Sequence, residues 1–464
     1  MKNFLTPPAF QAERNDAKAD ALYRRLRAQV FTGAFIGYAA FYIVRKNFTM
    51  AIPMLEQFNI SKGELGTVLG MNAVAYALSK FLMGSISDRS DARKFLPLGL
   101  LLAALSMAFM VVPITGLDLA GHPERKGLAI VLMGIINFLV GWFNGMGWPP
   151  CGRVMTHWFS QNERGTMMAI WNCAHNVGGG LVGPMATYGA VWFGSWFYGT
   201  HENLYFLAGT YLFPAATAAL VALLAYLLLR DTPQSCGLPS IEKWRNDYPQ
   251  NYSEKAEEVL PLRDIFVKYV FPNRYLWFIA FSNAFIYMVR YGCLDWAPSL
   301  LSDKGVDLKS AGWAYFAYEY AAIPGTLACG IISDRLFHGE RAKPTILFML
   351  CVALFIGLYW YASSLSVPDV NLIIFSLIGI GFFIYGPVML IGVQALDLVP
   401  KNAAGTAAGL TGFFGYFFGT AILANSVIGY VADAAGWNWT FILLLAACVL
   451  SILFMLLTTN HHKK

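Results

Sequence analysis

Long apolar runs alternate with short polar connections along the whole chain. Each run has the roughly 20 residues that a helix needs to cross a hydrocarbon core about 30 Å thick. They lie near residues 30–52, 64–87, 95–115, 128–152, 165–195, 204–229, 275–301, 310–333, 344–363, 370–396, 404–432 and 438–459. The pattern predicts an all-α membrane protein with 12 transmembrane helices.

The largest break in this pattern separates six runs from six. Residues 230–274 hold 14 charged residues among 45, with five prolines. We predict an N-terminal cytoplasmic segment (1–29), a six-helix half (30–230), a cytoplasmic linker (231–274) and a second half (275–460). Residues 9–27 are expected to form a short interfacial helix or a disordered tail, and residues 260–270 a surface amphipathic helix.

Lysine and arginine are distributed asymmetrically between the connections. If both termini are cytoplasmic, 24 of the 33 fall on the cytoplasmic side, five outside and four within the membrane. Since cytoplasmic loops are enriched in these residues, both termini are expected in the cytoplasm. The net charge of +6 therefore reflects topology, and we expect no nucleic-acid partner.

The composition and the scattered cysteines indicate which classes of protein and site are not expected. Hydrophobic residues make up 57% of the chain and charged residues 13%, against about 25% charged residues in a typical soluble domain. The seven cysteines are scattered without a CxxC pair, which predicts neither a metal nor a disulfide framework. No nucleophile lies beside a base and no phosphate-binding glycine loop is present, so we expect neither an enzyme nor a cofactor.

Two cations stand inside the first apolar run. A charge at bilayer depth costs about 2.5–3.5 kcal/mol, so Arg45 and Lys46 are candidate functional residues. The seventh run repeats the pattern with Arg290, which follows Tyr287 as Arg45 follows Tyr42. Because the arginine fork donates paired bonds to phosphate oxygens, the two arginines predict a shared anion site.

Other charges lie within the membrane. Lys46 is the expected partner of Asp295 or Glu319, as a gate or structural ion pair. Lys80 is either a third phosphate ligand or a pathway charge. With Arg45 and Arg290, these residues leave a net charge near +2, about what a phosphate monoester dianion would cancel.

Aromatic and polar residues accompany these charges. Tyr38 and Tyr42 share a helix face with Arg45, and phenols donate to phosphate oxygens. Tyr76, Tyr385 and Tyr416 either line the site or belong to an interfacial aromatic belt. His175 either donates to phosphate as a cation or is bonded to a neighbouring helix. Breaks at Trp148-Pro149-Pro150 and Tyr385-Gly386-Pro387 indicate bent helices around a cavity.

A short motif also recurs in both halves. Gly84 precedes Asp88 and Arg89, and Gly330 precedes Asp334 and Arg335, each at the end of a helix. The motif resembles the gate signature of the major facilitator superfamily; the alternative is an ordinary basic loop. Asp91 stands where the signature commonly has glycine.

Longer stretches narrow the resemblance. They are residues 45–48 (RKNF), 145–153 (GMGWPPCGR), 171–180 (WNCAHNVGGG), 230–239 (RDTPQSCGLP) and 385–392 (YGPVMLIG). Together they resemble the organophosphate:phosphate antiporter family of this superfamily, whose fold has two pseudo-symmetric six-helix halves. Residues 115–126 are longer than the family pattern.

The resemblance implies a carrier in the bacterial inner membrane that works by alternating access. It would exchange external glycerol-3-phosphate for internal inorganic phosphate, admit fosfomycin and act as a monomer. A hexose-phosphate antiporter and a sugar-phosphate receptor are the alternatives. Arg45 and Arg290 match the family's phosphate-binding arginines and His175 its histidine. Further binding roles fall on Lys80, Tyr38, Tyr42, Tyr76, Trp148, Asn172, Tyr287, Tyr385 and Tyr416.

Overall fold

The computed structural model describes residues 4–14, 19–87, 89–117, 119, 121–198, 203–247, 266–399 and 404–459. Helices are the regular secondary structure of these residues, and none of the described residues lies in a strand. The α-helices are α1 (Ala19–Arg45), α2 (Asn47–Glu56), α3 (Lys62–Ser87), α4 (Ala92–Ala108), α5 (Lys126–Asn144), α6 (Trp148–Trp158), α7 (Gln161–Asn172), α8 (Ala174–Tyr198), α9 (Asn203–Leu228), α10 (Ile241–Arg245), α11 (Arg274–Asp303), α12 (Leu308–Arg335), α13 (Ala342–Ser364), α14 (Val370–Asp397), α15 (Ala404–Phe413), α16 (Ile428–Ala435) and α17 (Trp437–Leu456).

In the described residues these helices form 12 long segments, because some consecutive helices are parts of one bent segment. The breaks fall at Lys46, at residues 145–147 and at Cys173, and the π-helix Phe414–Val427 joins α15 to α16. Seven segments are long and apolar enough to cross a membrane by composition alone. The other five carry the deep cations, acids and His175 predicted from the sequence. These polar residues lower the mean hydropathy of the five segments.

The first six segments pack mainly against one another, and so do the last six. The two groups meet along α8 with α12, and along α3 with the π-helix and α16. Glycines allow this close approach: a Cβ on Gly183 would lie 2.2 Å from the Gly312 carbonyl oxygen. A Cβ on Gly66 would lie equally close to the Asn425 carbonyl oxygen. The all-α membrane architecture of two six-helix groups predicted from the sequence is confirmed.

The predicted interfacial helix over residues 9–27 was wrong in its first part. Residues 9–14 are not helical, and the helix that begins at Ala19 continues without interruption into the first membrane segment. The extended stretch binds the linker through backbone bonds from Gln11 to Gln234 (3.0 Å) and from Arg14 to Gly237 (2.9 Å). These bonds satisfy backbone groups that a helix would otherwise pair internally. Residues 15–18, and 260–265 of the predicted amphipathic helix, lie outside the described residues.

The first part of the linker is fixed to the first group of helices. Trp244 in α10 stacks on Tyr23 in α1, with ring centroids 4.3 Å apart. Arg245 pairs with Glu163 at the start of α7 (3.0 Å), and Glu163 also pairs with Arg27 (2.6 Å). Residues 231–247 are therefore part of the first helical group.

Candidate functional site

A buried ion pair joins the two groups where the first segment breaks. Lys46, between α1 and α2, has φ −102° and ψ 0°, outside the helical range. Its Nζ lies 2.9 and 3.0 Å from the carboxylate oxygens of Asp295 in α11. Asp295 is fully buried. Of the two partners that the sequence left open, the structure selects Asp295.

Both predicted arginines lie in the same interior region without a carboxylate partner among the described residues. Arg45 and Arg290 are each 3% exposed. The Nη1 of Arg45 and the Nε of Arg290 are buried and find no hydrogen-bond partner in the described residues. Buried donors of this kind are costly to leave unsatisfied. The pair therefore offers directed positive charge to an anion.

A cluster of tyrosine rings connects the two arginines. Arg45 lies over Tyr76 (3.6 Å to the ring centroid) and over Tyr416 (4.9 Å). Arg290 lies over Tyr287 (5.7 Å), whose ring is 5.0 Å from that of Tyr416. Guanidinium groups are attracted to aromatic faces. The cluster thus holds one arginine from each group of helices around shared rings.

The predicted first-segment tyrosines extend this lining. Tyr38 and Tyr42 are buried, with ring centroids 5.6 Å apart, and Tyr38 also packs on Trp171 at 4.6 Å. Tyr42 lies 5.5 Å from the ring of His175. Arg290 lies 4.0 Å over Tyr385. The tyrosines named from the sequence are therefore interior, and the belt alternative does not describe them.

His175 lies between tyrosines of both groups. Its ring is 5.9 Å from that of Tyr385, and its Nδ1 is hydrogen-bonded to the Asn172 carbonyl. The neighbouring Asn176 donates to Glu319 Oε2 across the interface (3.1 Å). Glu319 also packs on Gly179, where a Cβ would lie 3.1 Å from its carboxyl carbon. Glu319 thus fastens α8 to α12 beside the histidine.

Three predicted ligands lie on the more accessible side of this region. Lys80, Trp148 and Asn172 are exposed, although each lies well inside its helical segment. The Lys80 ammonium sits 5.7 Å from the Trp148 ring centroid. Because a charged side chain deep in a membrane segment faces the bundle interior or a water-filled space rather than lipid, the exposure of Lys80 indicates that this side is open to water.

The opposite side is closed by contacts between the two groups, and we call it the closed end. The Asp433 carboxylate accepts bonds from the backbone nitrogens of Lys62 (3.0 Å) and Gly63 (2.6 Å) at the start of α3. The Lys62 ammonium pairs with Glu56 (2.6 Å) and with Asp303 (3.2 Å). Together these residues seal the closed end around Lys62.

The described residues of the repeated gate motif lie away from this region. Asp88 lies outside the described residues, and Arg89 is exposed at the end of the bundle far from Lys62. Asp334 pairs with Arg341 (2.6 Å) in its own helical group, and Arg335 is exposed. The structure does not bring Arg89, Asp334 or Arg335 to the central arginines, and the gating role of the motif stays a prediction.

Sequence reasoning missed several residues of this region. Tyr291 carries the Lys46 ammonium 3.7 Å over its ring. Tyr318 donates from its hydroxyl to the Arg290 carbonyl (3.0 Å). The spacing of four residues between Tyr287 and Tyr291 could have identified Tyr291. Nothing local in the sequence indicates Asn176 or Asp433, because their partners come from distant helices.

The donor set suits an anion. Arginine, lysine and phenol groups donate, whereas metal sites need clustered acceptors. Among the described residues no group of three or more histidine, cysteine or carboxylate side chains could hold a metal ion. Phosphate oxygens are the acceptors that this arrangement matches best.

Comparison with known proteins identifies the family to which this chain belongs. Residues 34–424 match the model of the Major Facilitator Superfamily. The chain is 49% identical to the glycerol-3-phosphate transporter of Bacillus subtilis (strain 168), over 100% of this chain and 99% of that protein. It is 45% identical to the glycerol-3-phosphate transporter of Haemophilus influenzae, over 96% and 94%.

A solved structure shares the fold. The bacterial homolog of the human lysosomal transporter Spinster, in an inward-facing and unoccupied conformation, superposes with a TM-score of 0.68. The match covers 94% of this chain and 96% of that one, at 16% identity. The relatives are named as transporters and not as enzymes. The chain is thus a multi-pass membrane protein that belongs to the Major Facilitator Superfamily, within the family of the glycerol-3-phosphate transporters.

Proposed function

We propose that this protein is a secondary transporter that exchanges external glycerol-3-phosphate for internal inorganic phosphate. The observation that carries the proposal is the pair of buried arginines, Arg45 and Arg290, one from each helical group, around shared tyrosine rings. The names of the two bacterial relatives support the organic substrate. Fosfomycin, which also bears a phosphorus oxyanion, is proposed as a further substrate.

Charge pairing in the interior supports a phosphate ligand. Asp295 neutralises Lys46, and Glu319 is held by Asn176. Neither acid lies within ion-pairing distance of Arg45 or Arg290 among the described residues. Lys80 adds one positive charge and Glu319 one negative charge, so the interior keeps a net charge near +2. This matches the two negative charges of a phosphate monoester dianion, and tyrosine hydroxyls supply additional donors.

The mechanism follows from the position of the arginines on opposite groups. Two guanidinium ions facing each other repel, and closing the groups over them removes their water. A phosphate between them converts repulsion into attraction, so only the loaded carrier reorients readily. This requirement makes transport an obligatory exchange by rocking of the two halves, residues 30–230 and 275–460, about the central site.

Orientation completes the proposal. Lysine and arginine are concentrated in the connections on the same side of the membrane as the two termini. We therefore place both termini on the cytoplasmic side of a bacterial inner membrane. The closed end around Lys62 then faces outward, and Lys80, Trp148 and Asn172 face the cytoplasmic side. Each chain contains both arginines, so a monomer suffices for exchange.

The test is exchange of labelled glycerol-3-phosphate in phosphate-loaded proteoliposomes. Arg45→Lys and Arg290→Lys keep the charge but remove the planar fork, and we expect both to lose exchange while inserting normally. Arg274→Lys, an exposed arginine of the same helix as Arg290, is the matched control and should exchange like wild type. Wild-type exchange by either site variant would falsify the two-arginine clamp.

The same assay separates the alternatives. A sugar-phosphate receptor would bind ligand but show no flux of label into the vesicles. For a hexose-phosphate antiporter, glucose-6-phosphate would compete more strongly than unlabelled glycerol-3-phosphate. Strong competition by glycerol-3-phosphate together with counterflow of phosphate supports the proposed exchange.

A further inference from the structure

A second cationic cavity lies far from the central arginines. It has a volume of about 470 Å³ and lies between four parts of the chain: the extended N-terminal stretch, the first turns of α1, the start of α4 and the chain that follows α9. Its charged lining, among the described residues, consists of four cations and two carboxylates: Arg14, Arg93, Lys94, Arg230, Asp91 and Asp231. Cations outnumber carboxylates two to one.

Both carboxylates already accept hydrogen bonds or form ion pairs within the protein. Asp231 accepts a bond from the backbone nitrogen of Ala92 (3.0 Å) and pairs with Arg153 (3.0 Å). Asp91 caps α4 by accepting from the Arg93 nitrogen (2.9 Å), and it pairs with the Lys94 ammonium (3.8 Å). These acids order the start of α4, and they leave the guanidinium charges that face the cavity largely uncompensated.

The cations are held in place by carbonyl groups. Arg93 donates from Nε to the Tyr226 carbonyl (3.0 Å), and Arg230 donates from Nη1 to the carbonyls of Leu227 (2.8 Å) and Leu229 (2.6 Å). A guanidinium has five N–H donors, so each fork keeps further donors for a ligand. Burial lowers the pKa of Arg230, and the charge of Arg93 lowers this pKa further. The fold thus brings two like charges together on fixed supports.

The cavity lies at the level of the membrane surface. The membrane span of α9 ends at Leu228, two residues before Arg230. Leu220, Leu223 and Leu227 are exposed along the last turns of this helix, as expected for a surface covered by acyl chains. On the extended stretch, Phe4 is 65% and Phe10 72% exposed. Basic residues directly above an apolar helix surface suit a lipid headgroup.

We propose that this cavity binds a phosphate-bearing anion, namely the headgroup of an anionic phospholipid, with Arg93 and Arg230 donating to its phosphate oxygens. Arg14 adds a further positive charge, and the acyl chains follow the exposed leucines of α9. A free phosphate ion offers the same oxygens without the chains, so the experiment has to separate these two sources. The proposal does not depend on the transported substrate.

The first experiment measures lipid retention by native mass spectrometry of the full chain in detergent, with phosphatidylglycerol or phosphatidylcholine added. We expect wild type to retain phosphatidylglycerol and Arg93→Gln/Arg230→Gln to bind it about tenfold or more weakly, since two charged donors are lost. The control Arg24→Gln/Arg274→Gln removes two exposed cations from the same end and should bind as wild type. Arg14→Gln, at an exposed position, tests the site without disturbing a buried contact and should weaken binding partially.

The second experiment uses inorganic phosphate alone. In an Arg45→Lys/Arg290→Lys background, which removes the central site, phosphate should not raise the melting temperature of delipidated protein. A rise that disappears in Arg93→Gln/Arg230→Gln would assign the cavity to free phosphate and overturn the lipid assignment. Equal phosphatidylglycerol retention by wild type and Arg93→Gln/Arg230→Gln, or equal loss in the control, would overturn the site itself.

Discussion

We expect the contact between Asp433 and the start of α3 to stabilise the conformation in which the closed end is shut. Asp433 accepts two backbone hydrogen bonds from the other helical group, at 3.0 and 2.6 Å. The substitution Asp433→Asn keeps the size of the side chain but removes its charge and one accepting oxygen. The closed conformation is expected to lose stability relative to a conformation in which this end opens.

The magnitude follows from the type of bond. A hydrogen bond to a charged group contributes about 1.5–3 kcal/mol. Losing one such bond and weakening the other should shift the equilibrium by about 1–3 kcal/mol, or 5- to 150-fold. A negative charge at a helix N-terminus is also favourable, and its removal acts in the same direction.

Thiol labelling measures this shift. Ser426 faces the other group near the closed end, with its Oγ 3.4 Å from the position of a Cβ on Gly70. In a chain whose native cysteines are replaced by alanine, Ser426→Cys would report opening through its rate of reaction with a bulky maleimide in detergent. Asp433→Asn should raise this rate at least about fivefold.

A matched control distinguishes the contact from a general loss of charge. Asp369 also bonds a helix N-terminus, accepting from the Leu372 nitrogen at 3.0 Å, but inside its own helical group. Asp369→Asn should therefore leave the labelling rate at the wild-type value. Unchanged labelling in Asp433→Asn, or an equal increase in Asp369→Asn, would refute the assignment of Asp433 to the closed end.

Three further predictions concern an ion pair, a helix–helix contact and an aromatic stack. Lys46→Met leaves the Asp295 carboxylate buried without its partner and should lower stability by about 3–5 kcal/mol, whereas Lys46→Met/Asp295→Leu should recover most of the loss; thermal unfolding in detergent measures both, and no recovery would contradict the pairing argument. Gly178→Ala places a Cβ 1.9 Å from the Ala39 carbonyl oxygen and should cost about 1–3 kcal/mol. Gly134→Ala, whose Cβ meets no atom within 4 Å, should unfold like wild type, and equal melting temperatures for the two variants would argue against tight packing of α1 on α8. Trp244→Ala removes a stacked ring pair worth about 0.5–1.5 kcal/mol, so limited proteolysis should cut the linker faster; an unchanged cleavage rate would mean that the stack does not hold residues 231–247.

Hydropathy alone was sufficient for the architecture. Crossing a bilayer requires about 20 apolar residues in one helix, so the spacing of apolar runs determined the number of segments, and deep charges such as Arg45 and Arg290 stood out against them. The repeated spacing of tyrosine and arginine indicated that the two would share a region. These features are local or periodic, and physical constraints of the membrane make them readable without coordinates.

Tertiary structure decided which partners meet. Asp295 and Glu319 were equivalent candidates for Lys46 in the sequence, and only the packing of α11 against the break at Lys46 selected Asp295. The bonds from Asp433 to α3 join residues about 370 positions apart. The second cationic cavity brings together four separate stretches of chain. Such contacts depend on helix rotation and on the angle between helical groups, which apolar periodicity leaves undetermined because lipid-facing and helix-facing residues are both apolar.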